Sequence, residues 1–295
     1  MYASICDKFL FVKSNKTAGT SIEIALTICL ANREKQFFTP ISFEDELLRM
    51  HLSGISFSTK MQSLLAPNRL NPLPDTKAAL KTSKLINKKK ITSLLRKSQS
   101  NFKALQKMHT INANAFTSST GYFNHIPYSK CVSNDTSLGE FWSCTFARHP
   151  YKRFLSFLAW RSRNQQGVGT WRTEDWNNFA DKHIDFFCER NLNYYSRDML
   201  NNKSVNEVLT VERLQDSTNI MCENLDLPPD SIFMAMPKTK TKSSNSIKNI
   251  SPDDIINKKM KDKILKSEES LFEGLGYQDS LENFSPERVS ISMQT

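Results

Sequence analysis

The stretch VKSNKTAGTS, Val12 to Ser21, constrains the fold more than any other part of the chain. It follows the apolar run Phe9-Leu10-Phe11 and precedes Ile22, Ala25, Leu26, Cys29 and Leu30, which recur at the spacing of one helical face. From Cys6 to Val12 the residues are nearly continuously apolar, as in a parallel strand covered on both faces. A buried strand is therefore expected to run through a small-residue loop into a helix, with Thr20 and Glu23 spaced as a capping box. Such a loop turns backbone N–H groups and the positive end of a helix dipole toward one anion. The same strand, turn and capped helix also occur with no ligand. Lys16, Thr17, Ala18, Gly19, Thr20 and Ser21 form the candidate cradle. A Gly-Lys-Ser/Thr ending, which in nucleotide triphosphatases reaches the β- and γ-phosphates and ligates magnesium, is missing.

A second segment, FWSCTFARHPYKRFLSFLAW from Phe141 to Trp160, repeats this layout. Phe141 to Ala147 reads as a strand, and Pro150 suits a first helical position. Tyr151, Phe154, Leu155, Leu158 and Ala159 then line an apolar helical face. Arg148 falls at the strand exit, and Ser156 lies on the helix beside Lys152 and Arg153. Two basic strand exits in one sheet make an anion cleft. Farther on, VLTVERL reads as a short strand, a helix runs through Ile220 and Cys222, and helices end in LFEGLGY. The residues after Tyr277 are polar with little periodicity, and roughly the last fifteen read as a frayed tail.

The formal net charge of +10 favours anionic partners. Much of it falls in an acid-free window from Lys77 to Lys107, within a basic, weakly patterned and helix-like segment at about 40–118. Either a solvated basic face or an anionic acceptor surface fits that window. Aromatic residues are nearly absent there, Phe102 excepted, which disfavours a base-stacking nucleic-acid platform. The six cysteines form no CxxC pair, and no HExxH or acidic cluster appears, so no metal site is expected. No apolar run has signal-peptide or membrane-spanning character. With Met1 as the native start, a cytoplasmic protein is expected.

NKTAGTS and RHPYKRFLS together resemble the two cofactor-binding motifs of sulfotransferases that use 3′-phosphoadenosine 5′-phosphosulfate (PAPS), most closely the carbohydrate branch. There the first motif commonly reads PKTAGTS or PKTGSTS, and Asn15 here replaces the proline. The looser resemblance continues through NHIPYS, VLTVERL and ESLFEGLGY. It implies an α/β, P-loop nucleotide-kinase-like three-layer fold with a mainly parallel central sheet, spanning residues 1–280 as one domain before a polar tail, 281–295. It also implies that Lys16 contacts the oxygen bridging sulfate and 5′-phosphate, that Thr17, Ala18, Gly19, Thr20 and Ser21 hold the 5′-phosphate, and that Arg148 and Ser156 hold the 3′-phosphate. Arg153 is either a further basic contact or a structural residue. His125, between the motifs, matches the family's general base; on its own pattern a hydrogen-bonded structural histidine fits as well. His149, His51, His109 and His183 are weaker candidates, and Lys238, Lys240 and Lys242 loosely resemble a loop that closes over the cofactor. Trp160, Trp171 and Trp176 suit core packing, or one of them stacking on an acceptor sugar.

The implied partner is a hydroxyl-bearing acceptor such as a glycan or glycolipid, with no nucleic acid. Two other classes stay in view: a P-loop kinase or NTPase, and a non-catalytic basic protein that binds nucleic acid or other anions. The first predicts stabilisation by ATP with magnesium. The second predicts salt-sensitive binding that does not depend on Lys16.

Overall fold

The computed structural model describes residues 1–33, 36–55, 99–237, 251–280 and 285–293. The greater part of the lysine-rich window, and Lys238, Lys240 and Lys242, lie outside the described residues. The chain folds as an α/β protein around a mixed six-stranded sheet flanked by helices. Its strands are β1 (Tyr2–Ser4), β2 (Phe9–Val12), β3 (Gln36–Phe38), β4 (Trp142–Ala147), β7 (Glu207–Thr210) and β8 (Ser290–Ser292), in the order β3-β1-β2-β4-β7-β8. A separate two-stranded ribbon is made by β5 (Arg197–Asp198) and β6 (Lys203–Ser204).

Parallel pairing is confined to the middle of the sheet, β2 with β4 and β4 with β7. The ladders of β1 with β2, β1 with β3 and β7 with β8 are antiparallel. The expectation of a mainly parallel sheet is corrected accordingly. The turn at residues 5–8 joins β1 to β2 directly, and so short a connection permits only antiparallel pairing. Cys6 is exposed in this turn, outside the strand expected to begin there. The carboxy-terminal stretch is also corrected: residues 290–292 extend the sheet, with Val208 opposite Ile291.

Phe9, Leu10, Phe11 and Val12 are completely buried, as two-sided coverage requires. Each large apolar side chain removed from water contributes about 1.5–3 kcal/mol. Helix α1 (Gly19–Cys29) covers one face of the sheet with Ile22, Ala25 and Leu26. Helix α2 (Phe43–Ser53) starts at Ser42, whose side chain accepts from the Asp45 N–H, and ends at Gly54 with φ 70°. It packs on α1 through Leu48, which joins Ile24 and Ile41. Helix α3 (Gln99–Thr120) buries Leu105 and Phe116. Both described ends of the expected insertion are thus built into the packed body.

Three further helices frame the site: α4 (Tyr128–Asn134), α5 (Pro150–Arg161) and α6 (Thr173–Glu189). Tyr151, Phe154, Phe157 and Leu158 of α5 pack with Trp176, Ala180, Ile184 and Phe187 of α6 in a second core. Trp176 is wholly buried there, with Trp171 packed against it at 4.9 Å between ring centroids. Arg153 is 3% exposed, paired with Glu268 and laid over the Phe187 ring at 4.4 Å, so it holds this core together. Among the described residues no helix is long and apolar enough to cross a membrane.

Candidate anion-binding site

The loop between β2 and α1 has a strained backbone. Lys16 and Ala18 lie in the left-handed region, at φ 66° and 57°, a conformation that costs a non-glycine residue about 1–2 kcal/mol. Strain of this kind persists where its surroundings enforce it, and it concentrates at binding sites. Ala18 caps α1 with its backbone carbonyl, which accepts from the N–H groups of Ser21 and Ile22. Its side chain supplies no cap, and Glu23 is buried away from the helix start, so the expected capping box does not form. The amides of Gly19 and Thr20 donate to no other group among the described residues and stand at the positive end of the helix.

The loop is fastened from below and from both sides. Thr17 is buried, and its hydroxyl is turned inward to Ser14, 2.8 Å from Oγ. Ser14 Oγ also donates to the Phe146 carbonyl of β4 at 2.6 Å. Asn15 donates through Nδ2 to the Tyr195 hydroxyl, a lateral tie. Beneath the turn, the fully buried Lys13 donates to Glu23 Oε2 at 2.7 Å. Glu23 also faces Arg49 Nη1 at 3.4 Å, and Arg49 Nη2 lies 2.8 Å from Glu46. Burial pushes the Glu23 carboxyl up, but Lys13, the Met1 amine and Arg49 outweigh it and hold the group below its ordinary range. Gly19 is required by the closeness of Lys13: a Cβ there would stand 2.2 Å from Lys13 Cγ.

Because β2 and β4 are parallel neighbours with Val12 opposite Thr145, both strands exit on one side of the sheet. Arg148 therefore reaches the loop, its Nη1 donating to the Lys16 carbonyl at 3.4 Å. Burial lowers the Arg148 pKa, and the nearby Glu212 opposes that shift. Glu212, at the exit of β7, accepts from the His149 N–H at 3.1 Å and the Tyr277 hydroxyl at 2.7 Å. Ser156 lies half-buried on α5 and makes no hydrogen bond to Arg148 among the described residues. Ser21 is buried and Thr20 half-exposed in the first turn of α1.

His125 comes to the same strand exit from the connection between α3 and α4. It adopts φ 60°, and its Nδ1 stands 3.2 Å from the Lys13 carbonyl. A carbonyl oxygen only accepts, so this contact places the ring proton on Nδ1 and leaves Nε2 as the basic nitrogen. Burial, with Lys13, the Met1 amine and Lys16 nearby, holds the imidazole well below its ordinary pKa of 6.5 and keeps it neutral. The other histidines stand elsewhere. His149 is buried among Tyr151, Phe272 and Tyr277, with Nε2 3.0 Å from the Gln278 carbonyl and its pKa pushed down to about 4 by burial. His109 packs on Phe43 and His183 on Phe179. No group of three or more His, Cys, Asp or Glu able to hold a metal ion occurs among the described residues.

The structure thus brings Lys16, the loop amides, Arg148 and His125 to one end of the sheet, and it adds Lys13, Glu23, Asn15 and Tyr195 as their supports. Lys13 was hidden in the sequence, since a lysine after an apolar run reads as a strand end, and Arg49, which shares its partner Glu23, lies far along the chain. Comparison with models of protein families, with curated proteins and with solved structures finds no match to this chain.

Proposed function

We propose that this chain is a PAPS-dependent sulfotransferase with a P-loop nucleotide-kinase-like core, moving a sulfuryl group to a hydroxyl of a carbohydrate acceptor. The observation that carries the reading is the contact between the two strand exits, Arg148 Nη1 on the Lys16 carbonyl. It puts a guanidinium beside an amide-lined turn, which suits a nucleotide with two separated phosphates.

The residues present fit such a group. The Gly19 and Thr20 amides, with the hydroxyls of Thr20 and Ser21, would hold the 5′-phosphate, while the buried Thr17 hydroxyl contributes to the shape of the turn. Arg148 and Ser156 would hold the 3′-phosphate, the former by its planar fork. When bound, the donor supplies a sulfuryl group activated by its bond to a phosphate oxygen. Lys16 neutralises negative charge that grows at the loop in the transition state. His125 Nε2, unprotonated at neutral pH, takes the proton of the acceptor hydroxyl. The missing Gly-Lys-Ser/Thr ending argues against a triphosphatase.

Thermal midpoints with added nucleotides test the reading. Adenosine 3′,5′-bisphosphate is expected to raise the midpoint well beyond ATP with magnesium. Charge-assisted hydrogen bonds contribute about 1.5–3 kcal/mol, so Arg148→Ala is expected to weaken the bisphosphate roughly 10- to 150-fold while AMP affinity stays. Equal or greater stabilisation by ATP, or an unchanged bisphosphate affinity in the variant, rejects it.

A further inference from the structure

Apart from the main sheet, the β5–β6 ribbon ends in a tip made of Met199, Leu200, Asn201 and Asn202. Met199 is 78% exposed and Leu200 96%. Both are held out by an ordered turn. Asp198 is buried, and its carboxylate accepts from the Leu200 N–H at 3.2 Å and from Asn201 Nδ2 at 2.7 Å. Asn202 closes the turn at φ 50°. The base of the ribbon is fastened to the body: the Val205 N–H donates to the Ser196 carbonyl at 2.8 Å, Ser204 Oγ donates to the Met293 carbonyl at 2.8 Å, and both strands pack on α4. The ribbon's one acid, Asp198, is thus turned inward, while Arg197 on one strand and Lys203 on the other are exposed. Neither cation has a carboxylate partner among the described residues, and the same holds for the exposed Lys130 of α4.

We propose that this tip docks the protein on a membrane surface, Met199 and Leu200 entering the boundary between head groups and acyl chains while Arg197 and Lys203 meet the head groups of anionic phospholipid. A protein partner needs a complementary surface, and two side chains on a convex tip fall far short of the roughly 1,000 Å² of a specific protein interface. A lipid surface needs no matching pocket. It takes up a small apolar wedge, and it favours cations that flank the wedge with their charged ends in water. An ordered tip also gives up little conformational freedom on insertion. Docking here goes beyond the sulfotransferase reading and does not depend on it. The ribbon joins the sheet where the Asn206 N–H donates to the Ser143 carbonyl at 2.8 Å, near the amino-terminal ends of β4 and β7. Arg148 and the anion loop stand at the opposite ends of the parallel strands.

The test uses the whole chain at about 0.15 M salt and measures co-sedimentation with vesicles of phosphatidylcholine and phosphatidylserine, about three to one, against phosphatidylcholine alone. Mixed vesicles are expected to bind it more tightly, by up to about fivefold for each cation that reaches the surface. The exposed acids Asp135 and Glu140, on the turn that follows α4, subtract from that gain. Met199→Asn/Leu200→Asn keeps every charge and is expected to weaken binding at least about tenfold with an unchanged thermal midpoint. Arg197→Gln/Lys203→Gln is expected to remove most of the preference for phosphatidylserine. Lys258→Gln/Lys266→Gln, at exposed positions on another basic helix, is expected to change neither. Leu200→Trp is expected to show tryptophan quenching by lipids brominated along the acyl chain, beyond that of the native chain. Vesicle binding that survives Met199→Asn/Leu200→Asn, or that falls equally with Lys258→Gln/Lys266→Gln, is adsorption by net charge and overturns the proposal. Absence of added quenching in Leu200→Trp overturns it too, as does a concentration-dependent dimer that the tip variant abolishes while vesicles go unbound.

Discussion

Replacing Glu23 by Gln removes one negative charge from beneath the anion loop and keeps the side chain's volume and one acceptor oxygen. In the native chain that charge is shared by Lys13 at 2.7 Å and Arg49 at 3.4 Å, with all three side chains wholly buried. Arg49 retains Glu46 at 2.8 Å, whereas Lys13 and the Met1 amine, which lies 3.7 Å from Glu23 Oε2, both lose their carboxylate. Breaking one buried pair in this way costs about 3–5 kcal/mol, and the retained acceptor oxygen puts Glu23→Gln near the lower end, about 3 kcal/mol. At about 2–4 °C per kcal/mol for a chain somewhat smaller than this one, the thermal midpoint is expected to fall by roughly 6–12 °C. Urea unfolding followed by tryptophan fluorescence measures the loss directly. Since the Glu23 carboxyl is held below its ordinary value of 4.5, its contribution is present above that pH and fades as pH falls through the lower folded value. The stabilities of wild type and variant are therefore expected to converge in acid. Lys13→Met/Glu23→Leu is expected to recover most of the loss, because apolar residues of similar volume replace a buried ion pair at little cost. A loss below about 1 kcal/mol at neutral pH, the worth of a solvated pair, would refute the reasoning.

Gly19→Ala sets a methyl group against a lysine that cannot swing away without abandoning Glu23. It is expected to cost about 1–3 kcal/mol of stability, as overpacking does, and to lower bisphosphate affinity at least about tenfold; calorimetry showing native affinity would mean that the turn tolerates the shift. His125 is held neutral far into acid by burial and the positive groups around it. On the proposed sulfotransferase reading, the rate of sulfate transfer is accordingly expected to stay flat from pH 8 to 6.5 with respect to this group, and to fall only well below 6.5 as Nε2 takes a proton. An acid limb centred near 6.5, unchanged in His125→Gln, assigns the base to another residue.

Local pattern reached the two strand–turn–helix units because each has its information within some twenty residues: apolar runs, small loop residues, Pro150 at the first helical position. It misread Glu23 because a Thr-x-x-Glu spacing is a local signal, and the buried Lys13 and Arg49 compete for the same carboxylate from outside that window. It also missed β8, whose Ser290, Ile291 and Ser292 carry little hydrophobicity of their own and gain their order from β7. At the site, the loop residues and Arg148 were legible as motifs. Which tryptophan stays open was not legible, since Trp160 and Trp176 read alike in sequence and differ only in what the fold leaves open above them.

The register of β2 against β4 has a consequence for how the site comes into being. Phe9 lies opposite Trp142 and Val12 opposite Thr145, so the loop's flanking wall arrives well over a hundred residues after the loop itself. Contacts this distant in sequence close late and slowly. On an emerging chain, the turn from Ser14 to Gly19 is synthesised well before β4. It gains the Ser14–Phe146 and Lys16–Arg148 contacts that brace it only when β4 docks. A truncated chain that ends before β4 carries the whole first motif and lacks its brace, so assembly of the sheet, more than synthesis of the motif, sets the moment at which the candidate site is complete.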